Sequence, residues 1–174
     1  MYVVLMAMLA LNISTEVLNG FSIVEESLNR TTSNSSKENE SIYSDFLEQM
    51  KTNPEKVKAW FDKATMVKQM SDSLYNYAQS LKEQIVKEAD GDDADLNNIV
   101  GKDNLEAAAH VMLAPGTGQG KKLYDAINSY RERILKMVNN DHQRQLIAEN
   151  LSTKIPKKGN ALGKNWQEYM FESM

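Results

Sequence analysis

The chain has 174 residues, of which 41% are hydrophobic and 25% charged, values typical of a folding chain and not of a disordered one. Its 20 Lys and Arg against 24 Asp and Glu give a net charge of −4, which argues against a nucleic-acid partner. There is no cysteine, so disulfide frameworks, thiol nucleophiles and cysteine-ligated zinc are excluded, and only His110 and His142 carry imidazole.

Residues 1–11, MYVVLMAMLAL, form an unbroken apolar run. As a helix it reaches about 17 Å, against about 30 Å for a hydrocarbon core. It lacks the basic start and the small-x-small cleavage site of a secretory signal. An N-terminal helix that is apolar all round meets lipid more often than core. Residues 1–21 are therefore expected to be the C-terminal part of a single transmembrane helix and its exit. The acidic flank after it (Glu16, Glu25, Glu26) suits the translocated side. Triplets of the N-x-S/T type at Asn12, Asn29, Asn34, Asn39 and Asn150 read as a by-product of an Asn- and Ser-rich chain.

Phe21, Leu28 and Ile42 fall on one seven-residue column, with Val17, Val24 and Phe46 beside it. Between them, residues 29–41 (NRTTSNSSKENES) carry no large apolar side chain. They also carry no Pro or Gly, and the column resumes in phase, which a loop has no reason to do. One helix is predicted to about Lys51.

Asn53-Pro54 marks the next start, with Asn as N-cap, Pro at the first helical position and Glu55 in the first turn. The helix is predicted to run to about Ala89. Its seam alternates three and four apart: Val57, Trp60, Ala64, Val67, Ser71, Leu74, Ala78, Leu81, Ile85. Trp60, Val67, Leu74 and Leu81 make a large column, and small residues dominate the other, letting a partner helix come close. The pattern predicts a long antiparallel hairpin or a dimer seam. Residues 89–98, ADGDDADLNN, place four Asp in a turn. Counted from Asp90, the Gly and Glu positions of a calcium loop hold Asp95 and Gly101, so a solvated acidic turn is expected.

Asp103 is expected to cap a short helix ending at Ala114-Pro115, with His110 on it as a surface or core histidine. From Gly120 another helix presents Leu123, Ile127, Tyr130, Ile134 and Val138, and Asp141 is expected to cap a shorter one. A basic loop (Lys154, Lys157, Lys158, Lys164) then leads to Trp166, Tyr169, Met170 and Phe171. No β-alternation occurs anywhere, so the fold class is all-α. Residues 115–122, PGTGQGKK, imitate a phosphate-binding loop but put Pro115 at its first position and Lys122 where Ser or Thr must hold Mg²⁺. A helix–helix connector is the better account. No spacing of Ser, His and Asp marks a triad, and no cofactor or enzymatic role is expected.

Several stretches together resemble the GldM/PorM family of gliding-motility and type IX secretion proteins. They are MYVVLMAMLALNISTEVLNGF, LYNYAQSLKEQIVKEADG, KDNLEAAAHVMLAPGTGQGKKL and LSTKIPKKGNALGKNWQEYMFESM. The opening motif is highly specific, and the likeness covers essentially the whole chain. It implies one helix in the bacterial inner membrane followed by a helical periplasmic domain over residues 22–174. It also implies a homodimer whose membrane helices sit inside a pentameric, GldL/PorL-like L protein, with proton flow turning the M dimer to drive secretion or gliding. By this resemblance Tyr2, Met6, Leu9 and Asn12 would face the L ring or the twin helix. The basic cytoplasmic stretch and the distal β-domains that reach outer-membrane partners are absent from this sequence. The helical bundle is expected to be incomplete at its C-terminal end, where Trp166–Phe171 is too short to bury its own aromatic groups. The alternative is a membrane-tethered extracytoplasmic sensor or adaptor domain.

Overall fold

A computed structural model describes residues 14–102, 104 and 106–172. Helix α1 spans Ser14–Thr52 and runs without a break through the polar stretch 29–41. Local bonding explains why that stretch stays helical. Arg30 pairs with Glu26 one turn back at 2.9 Å, and the hydroxyls of Thr31 and Thr32 donate to the carbonyls of Ser27 and Leu28, each at 2.9 Å. Those bonds occupy polar groups that would otherwise compete for non-helical backbone. At the other end the Thr52 hydroxyl takes up the carbonyls of Glu48 and Gln49.

Helix α2, Pro54–Asp90, begins as the Asn-Pro pair requires: the Asn53 carbonyl accepts its first bond from the Val57 amide at 3.3 Å. A short 3₁₀ turn, Gly91–Asp93, follows. Helix α3 is Glu106–Leu113, α4 is Gly120–Met137, α5 is Asp141–Asn150 and α6 is Trp166–Phe171, with a second 3₁₀ turn at Gly159–Ala161. No strand occurs among the described residues, and the fold is all-α.

One start differs in its capping residue from the sequence expectation. Helix α5 is capped by Asn140, whose side chain accepts from the Gln143 amide at 3.0 Å, and Asp141 is its first residue. An amide or a carboxylate serves equally in that role, so composition alone could not choose between neighbours. At α3 the Asn104 side chain accepts from the amides of Glu106 and Ala107, while Asp103 lies outside the described residues.

The chain divides into two compact units between Asp62 and Lys63. In the first, Tyr43 of α1 stacks on Phe61 of α2 at 5.6 Å between ring centroids. In the second, α3 packs on α4 and α6, and α4 also packs on α5 and α6. Its core is made by Met70, Leu81 and Val86 of α2, Ala107 and Met112 of α3, Ile134 of α4, and Ala161.

Candidate interaction surfaces

The seam of α2 has an intramolecular partner in the second unit. Ser71, one of its small residues, lies 2.7 Å from the Tyr130 hydroxyl of α4, close enough for a hydrogen bond that only a small seam residue permits. Along the large column Leu81 is 3% exposed, and Val67 and Leu74 are half-buried. Trp60, in the first unit, is 62% exposed. The seam is thus covered from Val67 to Leu81 by the chain itself.

The column on α1 is different. Leu28 is 61% exposed and Ile42 50%, with Ile23, Val24 and Leu47 also exposed. Solvated single apolar residues are ordinary, but here Leu28 and Ile42 share one seven-residue column along the helix. Ser35 stands between Leu28 and Ile42 on the same column and keeps it narrow there. Tyr2, Met6, Leu9 and Asn12 lie outside the described residues, as does the side chain of Phe21. Among the described residues no helix is long and apolar enough to cross a membrane.

The motifs that imitate chemistry have structural work here. Gly118 is pressed against the carbonyls of Met112 and Ala114: a Cβ there would sit 2.7 Å and 2.8 Å from them. At Gly120 a Cβ would meet Gln167 Cβ at 2.7 Å and the Met112 carbonyl at 2.8 Å. The glycines therefore let α4 start directly against the ends of α3 and α6. Lys121, in the position of a phosphate-loop lysine, pairs with Asp125 of its own helix at 3.0 Å. In the acidic turn, Asp90 accepts from the amides of Val100 at 2.9 Å and Gly101 at 2.5 Å, pinning the loop's far end to α2. Asp95 accepts from the Asn97 amide at 2.8 Å. No group of acidic and imidazole side chains suited to a metal occurs among the described residues. His110 is a surface histidine, with Nδ1 3.0 Å from a carboxylate oxygen of Glu88 on α2.

Sequence reasoning missed the devices that close the C-terminal part. Arg144 of α5 donates to the carbonyls of Leu135 and Val138 at the end of α4, and Arg131 of α4 donates back to the Leu151 carbonyl at 2.9 Å. These guanidinium groups satisfy carbonyls that a helix end leaves open. Helix α6 starts with a capping box between Asn165 and Glu168, for which N-x-x-E was the available signal. It seats Trp166 between Tyr124 of α4, at 5.7 Å, and Phe171, at 5.9 Å.

Beside Trp166 a groove of about 900 Å³ opens between α4, α5 and the segment that follows α5. Among the described residues, Lys121, Arg131, Lys154 and Lys157 line it together with Tyr124 and Trp166, and no carboxylate does.

A comparison with known families finds that the model described as the GldM N-terminal domain matches residues 16–174. No curated protein matches the chain at a meaningful level.

Proposed function

The chain belongs to the GldM N-terminal domain family, and on that premise we propose that it is the membrane-proximal, force-transmitting part of an inner-membrane motor for type IX protein secretion, gliding, or both. Membership itself supports the coarser statement, a component of the gliding and type IX secretion machinery. The observation that carries the finer reading is α1, helical from Ser14 to Thr52 through thirteen residues, 29–41, that bury nothing large. A stretch with no apolar side chain to bury gains nothing from packing, yet its sequence holds helical register across the gap. A continuous helix carries torque that a flexible linker of the same length would dissipate.

In this reading residues 1–21 complete a single membrane helix and residues 22–174 lie in the periplasm. Two copies pair through the Leu28 and Ile42 column, and Tyr2, Met6, Leu9 and Asn12 contact the L-protein ring or the twin helix. Torque generated in that ring passes into α1, and onward through domains beyond this chain to outer-membrane components. The role is mechanical and not enzymatic. Cells in which the gene is deleted should lose export of type IX cargo across the outer membrane, and gliding where it exists, with both restored by the intact gene. Unchanged export in the deletion would overturn the assignment.

A further inference from the structure

We draw no further inference here: the strongest candidate, the groove between α4, α5 and the segment after α5 that Lys121, Arg131, Lys154 and Lys157 line beside Trp166, carries nothing because nothing in the structure shows what covers it.

Discussion

Gly120 and Lys121 are neighbours with opposite expected tolerances, and together they decide what the glycine-rich turn is for. A Cβ at Gly120 meets backbone and side-chain atoms under 3.0 Å, so Gly120→Ala should destabilise by about 1–3 kcal/mol, the usual cost of overpacking. Lys121→Ala removes one exposed pair within a helix and should cost about 0.5 kcal/mol or less. Denaturant midpoints of the two variants read the difference, and saturable ATP binding lost in Lys121→Ala would contradict the connector account. The sequence revealed that the phosphate motif was defective, but it could not show which glycines are closely packed, because their contacts come from the end of α3 and, at Gly120, from the Gln167 side chain of α6. Tyr77 offers a second test. Its hydroxyl is buried without a hydrogen-bond partner, and burial pushes the phenol above its ordinary value. Above pH of about 10 the unfolded chain sheds that proton while the folded chain keeps it. Stability supplied by Tyr77 is therefore full below that pH and is lost as pH rises through the folded value. Tyr77→Phe should leave stability at pH 7 unchanged or raise it by about 1 kcal/mol, and should lessen the alkaline loss. A variant clearly weaker at pH 7 would mean that the hydroxyl has a partner after all.

At the scale of elements, α1 is where the account has most at stake. Its column was legible because Leu28 and Ile42 are two heptads apart, and neither Gly nor Pro interrupts the residues between them. The same spacing leaves both side chains exposed on one chain, which pairing of two copies would correct. Burying a side chain of this size stabilises by roughly 1.5–3 kcal/mol before the cost of association. The chain contains no cysteine, so one introduced thiol can form a disulfide only with another copy. Leu28→Cys and Ile42→Cys should each give a covalent dimer under mild oxidation, whereas Lys37→Cys, about 160° around the helix from Ser35's column, should not. Equal yields at all three positions, or none at Leu28 and Ile42, would remove the pairing through this column. The seam of α2 was less legible. Its spacing left hairpin and dimer equally open, and the choice rests on Tyr130, which no local pattern ties to Ser71. The cap of α5 slipped by one residue for a similar reason, since Asn140 and Asp141 are both good caps.

For the molecule as a whole, helix content, the Asn-Pro break and the main helix boundaries followed from periodicity and capping chemistry. The closure of the C-terminal part did not, since it depends on Arg131 and Arg144 reaching carbonyls twenty and nine residues away in sequence, from Leu151 and Leu135. The family likewise became legible from the opening and closing motifs, and its match covers residues 16–174. The central claim is mechanical: α1 must be stiff for force to pass. The direct measurement replaces residues 29–41, in the full-length protein in its native cells, with a Gly/Ser segment of the same length. Such a segment keeps the reach flexible and removes the helix. Export of type IX cargo, at matched protein level and membrane location, should fall to that of the deletion. Export at the level of the unaltered protein would contradict force transmission through α1.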